Sequence, residues 1–518
     1  MRGVRVIIAV SALIIFSGCS VNRNYLADQK YAPVKLQSDY TLLRNILEAK
    51  HPSLYWYTPK DSMDYYFEQG YKSITDSMTE LQFGWNILAP LLNKIHCGHT
   101  SFAMSKGWNK FIRNKKIPSL PLFIKTWNDT IIVTGNLNLK DSVLKRGTMI
   151  TAINGIENKQ MIHQMFNYLP QDGYENNINN LRLSTGFPFY HRNIYGLYKR
   201  YSVNYIDSLG KEKKTFISWY NPGGDSLKKG KDSLIKIPKE HIKRKRFSRR
   251  ERLENQRNLK VDEKESIATI SLYTFSKAHL KSFFRRSFRT LDEQHISNLV
   301  LDIRGNGGGD IGNYVYLTRY IRNTSFKVAD TSFAKAKSLA PYTKYIRSGF
   351  FTNLGMKLFT HKKNDQYHFG FWERHLFKPK QNNHFDGNVF VLTNGFTFSA
   401  SSLFCGAVKG QENVHIIGEN TGGGWYGNSG IFIPEIILPN TKLKVRLPLF
   451  RIVQYDHVAM KGSGVLPDIR VEPTVSSIIN NTDLKILKVY ELIREYKSSD
   501  TFNGTPHSTL HQRKQGLL

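Results

Sequence analysis

Hydrophobic positions follow a helical period near the start of the chain. From Ser38 to about Leu92, the stretches YTLLRNILEA, MDYYFEQGYKSI and LQFGWNILAPLLNKI place apolar residues at i, i+3/i+4 and i+7, which predicts amphipathic helices. The pairs Ser38-Asp39 and Thr79-Glu80 can cap two of these helices at their N-termini. We therefore expect a small helical domain over residues 38–116 that ends in the His-containing segment HCGHT (His96–Thr100).

Strand-like stretches follow at 119–127, 129–137 and 141–158. Asn154-Gly155 predicts a tight hairpin turn, and the pattern L-x-x-G-x-x-I-x-x-I-N-G before it resembles the late strands of a PDZ domain, which binds an extended peptide as an added strand. We expect a PDZ-like domain over 117–190 and a separate β-hairpin region over 191–224. A purely structural use of the module is the alternative, because no Gly-Leu-Gly-Phe-like carboxylate-binding loop accompanies it.

Strand and helix patterns alternate beyond residue 263. SIATISLYTF, NLVLDIRG, VFVLT and VHIIGE have the pattern of strands, whereas LKSFFRRSFRTLDEQ, YVYLTRYIR and SASSLFCGAVKG have the pattern of helices. This alternation predicts βαβ units around a largely parallel sheet over 263–475, followed by a C-terminal helix and tail over 476–518. Active sites form in the loops at the carboxyl ends of such strands.

Composition adds an unusual charge to this picture. The 518 residues carry a formal charge of +33, and the segment Ser226–Lys260, within a basic insert that we place at 225–262, has 14 Lys/Arg against 4 Asp/Glu. The chain has no zinc-finger spacing, RRM signature or helix-turn-helix pattern, so we expect no nucleic-acid partner. A solvated basic insert near an anionic membrane is the favoured interpretation.

The first residues have the layout of a secretory signal. MRGVRVIIAVSALIIFSGCS begins with two arginines, continues with an apolar core too short to span a bilayer and ends in small residues. Because Cys19 follows Ser-Gly, the stretch resembles a bacterial lipobox, although Phe16 stands where Leu is usual. We therefore expect a signal peptide at 1–18, a lipidated Cys19 and a tether at 19–37; a plain signal peptide is the alternative. The other cysteines, Cys97 and Cys405, are expected to be small buried residues.

Two loops after predicted strands could carry chemistry. The loop Arg304–Asp310 (RGNGGGD) leaves backbone N–H groups unobstructed, as an oxyanion site requires. In the second loop, Ser399 stands at a strand-to-helix turn where free N–H groups favour negative charge. A structural turn and an ordinary helix cap are the alternatives for the two loops taken separately.

Taken together, the two loops resemble those of the C-terminal-processing (tail-specific) peptidases and their tricorn-like relatives. The resemblance runs from about Asp39 to Thr474 and is carried by NLVLDIRGNGGGD, VFVLTNGFTFSASSLFCGAVKG, IIGENTGGG and GVLPDIRVEPT. It implies an α+β/α/β multidomain serine endopeptidase with a ClpP/crotonase-like core. By position, Ser399 matches the nucleophile, and the N–H groups of Gly308 and Ala400 match the oxyanion hole.

The general base is not the lysine of the Ser-Lys branch of this family. The matching position after Gly-Glu-Asn-Thr is Gly424, and no lysine occurs in 420–434. The resemblance to the tricorn-like branch implies His99 as the base, with His96 in reserve, and neutral imidazole can accept a serine proton near pH 7. The third, orienting residue is left open among Glu419, Asp456 and Asp468.

These inferences lead to a lipid-anchored serine peptidase of the bacterial cell envelope that faces the periplasm. Its expected partners are protein or peptide substrates and the membrane, and no metal or other cofactor is required. The alternative is a catalytically inactive envelope protein that binds peptides or other ligands on the same fold.

Overall fold

The computed structural model describes residues 25–222, 247–347, 349–455 and 458–502. The predicted signal peptide, Cys19, most of the basic insert, Asp456 and the end of the tail lie outside these residues. Within the described part of the chain, no helix combines the length and the apolar character needed to cross a membrane.

The N-terminal region is helical, as the periodicity predicts. Its helices are Pro33–Lys50, Lys60–Lys72, Glu80–Gln82, the π-helix Phe83–Leu88, Ala89–Asn93 and Lys106–Ile112, and its strands are β1 (Lys30–Tyr31), β2 (Met78–Thr79) and β3 (Phe102–Ala103). Thr79 caps its helix in a reciprocal capping box with Gln82. Ser38-Asp39 is not a cap, because the first helix begins five residues earlier at Pro33. The Asp39 carboxylate instead accepts hydrogen bonds from the backbone N–H groups of Asn440 and Thr441.

A mixed α/β module follows. Its strands are β4 (Leu122–Trp127), β5 (Thr130–Asn136), β6 (Met149–Ile153), β7 (Ile156–Glu157), β8 (Arg200–Ile206) and β9 (Glu212–Ser218), and its helices are Asn158–Phe166 and Asn177–Tyr195. The sheet has the order β4-β5-β6-β8-β9, with β7 paired to β6. The hairpin β8–β9, expected as a region of its own, extends this sheet because β8 pairs antiparallel with β6. The likeness to a PDZ domain stays a prediction.

The remaining strands belong mainly to two sheets. They are β10 (Arg257–Asp262), β11 (Ile267–Leu272), β12 (Asn298–Asp302), β13 (Ala329–Ala334), β14 (His361–Lys363), β15 (Gln366–His368), β16 (Asn388–Thr393), β17 (Val414–Gly418), β18 (Gly427–Gly430), β19 (Glu435–Ile437), β20 (Lys444–Arg446), β21 (Phe450–Gln454) and β22 (Ile469–Arg470). The central sheet has the order β10-β11-β12-β16-β17-β22 and is parallel from β11 onwards. This is the parallel core that the strand–helix alternation predicts.

Helices cover both faces of the central sheet. The helices of this region are Arg249–Glu254, Leu280–Glu293, Ile311–Thr318, the 3₁₀ turn Thr343–Tyr345, Gly349–Phe359, Gly370–Arg374, Ala400–Val408, Val475–Asn480 and Leu484–Phe502. Leu299 and Leu301 of β12 contribute to the larger core on one face. Val300, between them, packs on the other face with Val489 of the last helix. Burial of both faces explains why β12 is apolar at every one of these positions.

The helical region is tied to the core rather than free of it. Strand β3 pairs with β20 in the three-stranded sheet β19-β20-β3, and the second large sheet has the order β14-β15-β13-β21-β18. Helical-region residues such as Leu43 and Leu92 share one apolar cluster with Leu443 and Phe450. This packing fixes the His-containing segment near the carboxyl edge of the central sheet, and the architecture is the mixed α/β multidomain fold that the sequence predicts.

Candidate active site

Ser399 occupies a strained turn between β16 and the helix Ala400–Val408. It has φ 57° and ψ −122°, a backbone conformation that a non-glycine residue adopts only when its surroundings enforce it. Ser399 is partly exposed, whereas its neighbours Phe398 and Ala400 are buried. The turn therefore presents the Ser399 hydroxyl at the carboxyl edge of the sheet.

The two predicted oxyanion donors lie beside this serine but differ in availability. The Ala400 N–H has no acceptor within the described part of the chain. A Cβ atom at Gly308 would lie 2.7 Å from Ser399 Cβ and 2.9 Å from Ala400 N, so the glycine backbone approaches the turn directly. In this conformation, however, the Gly308 N–H donates to Asn306 Oδ1 at 3.0 Å. Of the two predicted donors, the Ala400 N–H is thus free to bind an oxyanion, whereas the Gly308 N–H is already bonded to Asn306.

The other serines of the turn have structural roles. Ser401 and Ser402 are fully buried, and the Ser402 hydroxyl donates to the Thr397 carbonyl at 3.0 Å. Both side chains therefore pack inside the start of the helix, away from the site that Ser399 faces. Cys97 and Cys405 are buried and unpaired, which confirms their prediction as small buried residues.

His99, more than His96, approaches the nucleophile turn. Its ring lies against Phe398, the residue before Ser399, with 4.7 Å between ring centroids. Burial, with the charges of Arg446 and Arg182, lowers the pKa of His99 to about 3, so the imidazole is neutral at pH 7. The His96 ring is engaged elsewhere, because its Nδ1 lies 2.8 Å from the Gly173 carbonyl oxygen.

A carboxylate that was not among the expected candidates faces His99. Asp172 Oδ1 lies 4.0 Å from His99 Nδ1, and both side chains are buried. His99 Nδ1 has no hydrogen-bond partner among the described residues. Asp172 accepts hydrogen bonds from the N–H groups of Gly98 at 2.7 Å and Gly424 at 3.3 Å. Burial raises the pKa of Asp172 to about 6, an effect that these hydrogen bonds oppose.

Two of the three expected orienting acids are bound elsewhere. Glu419 Oε2 lies 2.6 Å from Lys485 Nζ, and Asp468 is paired with Lys409 and accepts the N–H of Ile416 at 2.8 Å. Because both acids are engaged in these contacts, neither one pairs with His99. Asp456 lies outside the described residues.

The glycine at the position of the missing lysine is required by the backbone. A Cβ atom at Gly424 would lie 2.4 Å from the Gly427 carbonyl oxygen. A lysine could not replace Gly424 without moving this loop, and the Gly424 N–H serves Asp172 instead. The structure thus explains why the base must come from another part of the chain.

Cys97, His99 and Asp172 form the one potential metal cluster found among the described residues, with ligand atoms within 4.8 Å of one another. Burial raises the pKa of Cys97 to about 11, so the thiol stays protonated at neutral pH. Because the thiolate and not the thiol is the metal ligand, this protonation disfavours a cation at the cluster.

Comparisons with known proteins give one family match and a similar fold. Residues 266–471 match the model of peptidase family S41, and no curated protein matches the chain. The crystal structure of mature CPAF is similar with a TM-score of 0.60 at 11% identity, covering 89% of this chain and 98% of that chain.

Two further solved structures also match most of the chain. Mature CPAF complexed with lactacystin has a TM-score of 0.57 at 11% identity, covering 91% of this chain and 99% of that one. The photosystem II D1 C-terminal processing protease has a TM-score of 0.38 at 14% identity, covering 85% and 93%. The two CPAF structures share the fold over nearly the whole chain, and the family match spans both loops beside Ser399.

Proposed function

We propose, from the match of residues 266–471 to peptidase family S41, that this chain is a serine peptidase in which Ser399 and His99 hydrolyse peptide bonds in unfolded or C-terminal protein segments at the cell envelope. The observation that carries the proposal is the strained, partly exposed Ser399 with an unoccupied N–H next to it at Ala400. Such an N–H stabilises the oxygen that becomes charged when serine attacks a carbonyl.

In the proposed mechanism, neutral His99 takes the proton of Ser399 as the hydroxyl oxygen attacks the substrate carbonyl. The tetrahedral oxyanion is held by the Ala400 N–H and, once Asn306 releases it, by the Gly308 N–H. His99 then returns the proton to the leaving amine, and water repeats the sequence on the acyl-enzyme.

Asp172 completes this mechanism as the positioning residue of His99. The imidazolium formed during attack needs a nearby negative charge, and the buried Asp172 carboxylate faces the Nδ1 that has no other partner. A contraction of about 1 Å would bring Nδ1–H within hydrogen-bonding distance of Oδ1. Apo geometries of this kind often tighten only when substrate binds.

The location and anchoring are part of the same proposal. Removal of residues 1–18 and lipidation of Cys19 would tether the enzyme to a membrane on its periplasmic side, where extended tails of envelope proteins are available. The PDZ-like module would present such a tail as an added strand. Mass spectrometry of protein purified from membranes tests this point, because a diacylated Cys19 as the first residue is expected.

Cleavage of a disordered reporter protein tests the catalytic proposal. We expect the purified wild-type protein to cleave the reporter, and Ser399→Ala to remove this activity without lowering the melting temperature. Ser401→Ala is the matched control and should keep most of the activity. Equal cleavage by the wild type and Ser399→Ala would refute the assignment of the nucleophile.

An inactive peptide-binding protein is the second candidate, and the Asn306–Gly308 hydrogen bond is the observation that favours it. If this bond persists with substrate, the oxyanion hole lacks one donor. A fluorophosphonate probe distinguishes the two candidates. Labelling of Ser399 supports the peptidase, whereas an unlabelled folded protein that still binds peptides supports the alternative.

A further inference from the structure

A large cavity lies beside the catalytic loops without containing any catalytic residue. Its volume is about 610 Å³, and its wall comes from the module, the central sheet and the C-terminal helices. The sheet contributes residues that lie one or two positions after strands β12, β16, β17 and β22, including Arg304, Asn394 and Glu419. The carboxyl ends of parallel strands are where open α/β sheets bind ligands.

The acids in this wall already have cationic partners. Glu419 is paired with Lys485 and Asp483 with Arg304, while Glu472 is paired with Arg470 just outside the wall. Arg304 also binds Asp302. With the outer partners Asp302 and Arg470 included, the wall has four carboxylates and five cations, and the remaining cations are Lys125 and Arg146.

The two cations without a carboxylate are Lys125 and Arg146. Lys125 Nζ has no hydrogen bond or ion pair to any other residue in the described ranges. The Arg146 guanidinium donates only to neutral oxygens, namely the carbonyls of Ile478 at 2.7 Å and Thr134 at 3.0 Å and the side-chain oxygen of Asn481 at 3.4 Å. Neither cation is therefore paired with a carboxylate, and the wall with its outer partners carries a net charge of +1.

The surroundings of Lys125 disfavour its positive charge. Burial lowers the pKa of Lys125, and the nearby Lys485 ammonium lowers it further while Glu419 opposes the shift. An ammonium group that is partly buried and has no ion-pair partner destabilises a folded protein. The helix Leu484–Phe502 also starts at this wall, so its N-terminal dipole adds to the positive potential.

We propose that this cavity is a binding site for an oxyanion of the phosphate or carboxylate type, with Lys125 as its principal charged contact and Arg146 as the second positive charge. A ligand of either type would neutralise Lys125 and accept the hydrogen bonds that its ammonium cannot give to the protein. The source is either a free phosphate group or the terminal carboxylate of a peptide, which have the same contact chemistry.

The cavity lies next to the first residues of the catalytic loops, so a bound oxyanion would contact these loops. Arg304 begins the loop that leads to Gly308, Asn394 begins the turn that leads to Ser399, and Glu419 begins the loop that leads to Gly424. None of the residues in the proposed mechanism lines the cavity, so binding is measurable in a protein that cannot cleave.

The test uses Ser399→Ala protein and three probes, which are inorganic phosphate, a peptide with a free C-terminal carboxylate and the same peptide with an amidated C-terminus. We expect phosphate or the carboxylate peptide to bind saturably by calorimetry and to raise the melting temperature. Added Lys125→Gln should weaken this binding about tenfold, the loss typical of one charge-assisted contact. Added Lys125→Arg should retain it, and Lys211→Gln, at an exposed lysine of the β8–β9 hairpin, is the matched control.

The thermal stability without ligand gives a second readout. Lys125→Gln should melt at or above the temperature of its parent because it removes a partly buried charge that has no ion-pair partner, and Lys125→Met provides the same test if the glutamine variant is insoluble. Preference for phosphate or for the carboxylate peptide identifies the source. Absence of saturable binding of both probes, or equal binding by Lys125→Gln and its parent, would overturn the proposal and leave the proposed peptidase mechanism intact.

Discussion

At the scale of single residues, the environment of His99 decides what this histidine can do. Burial keeps its imidazole neutral, and the ring position against Phe398 brings it to the nucleophile turn. A buried imidazole gains a proton only if a negative charge stabilises the product. Asp172 is the carboxylate in a position to supply that charge.

The replacement Asp172→Asn tests this role. It keeps an oxygen that can accept the Gly98 N–H but removes the charge, so we expect kcat to fall about 10²–10⁴-fold, the range for the loss of an orienting acid. Because the pKa of Asp172 is about 6, wild-type activity should fall as acidification through pH 6 protonates it. The asparagine variant should lose this acid limb.

The exposed Asp129→Asn provides a control for Asp172→Asn and should leave the rate and the pH profile unchanged. A purely structural role of Asp172 predicts a lower melting temperature with an unchanged pH profile. That outcome would contradict its part in the mechanism.

At the scale of secondary-structure elements, the loop after β12 has to pass very close to the turn after β16. Gly308 has φ 94°, a value that favours glycine, and any side chain there would meet Ser399 and the Phe398 carbonyl. Gly307, one residue earlier, faces open space. The glycine run therefore contains one position that the nucleophile turn requires and one that it does not.

Gly308→Ala and Gly307→Ala form a matched pair of variants. We expect Gly308→Ala to lower kcat by about 10²-fold or more, because the added methyl group displaces the oxyanion loop from Ser399. Gly307→Ala should stay within about twofold of the wild type, since it adds a methyl group to open space. The rate of fluorophosphonate labelling measures both, and equal labelling of the two variants would contradict this account of the loop.

At the scale of the whole molecule, several histidines are buried as neutral groups. Burial lowers the pKa of His51 and His99 to about 3 and that of His191 to about 4. The unfolded chain binds protons at these groups near pH 6.5 while the folded chain does not, so stability falls as the pH drops from about 6.5 to 4. Asp172 opposes this trend, because its raised pKa makes the folded chain bind a proton between about pH 6 and 4.

His191→Phe isolates one of these contributions away from the catalytic site. His191 is buried among the rings of Phe187, Tyr195 and Tyr201, and its Nδ1 has no partner among the described residues. We expect the free energy of unfolding of the variant, relative to that of the wild type, to be about 1–3 kcal/mol higher at pH 4 than at pH 8. Urea unfolding at both pH values measures this difference.

The exposed Phe189→Leu is the control for His191→Phe and should not change the pH dependence of unfolding, because neither side chain titrates. Parallel stability curves for wild type and His191→Phe across this pH range would show that His191 does not contribute to acid unfolding.

The local pattern of residues was enough to predict the main secondary-structure elements. Period-3.6 and period-2 spacing predicted the helical region, the strands of the module and the parallel core, because each element must bury one face or both. Ser399 and Gly308 were singled out because the two loops together resemble those of the C-terminal-processing peptidases. The start of the first helix was placed too late because Pro33 is compatible with the first helical turn and begins the helix before the apolar period is evident.

Only the tertiary structure decided which distant groups meet at the site. Gln171-Asp172 follows a helix in the module and has no motif or spacing that marks it as functional, so sequence reasoning named Glu419, Asp456 and Asp468 instead. Lys125 likewise has no feature in the sequence that distinguishes it from other strand residues. Its lack of an ion-pair partner is seen only where the module, the central sheet and the C-terminal helices meet around it. Partners such as Asp172 for His99 are set by the packing of segments far apart in sequence, and the physical reason is that burial and unmatched charge exist only after those segments meet.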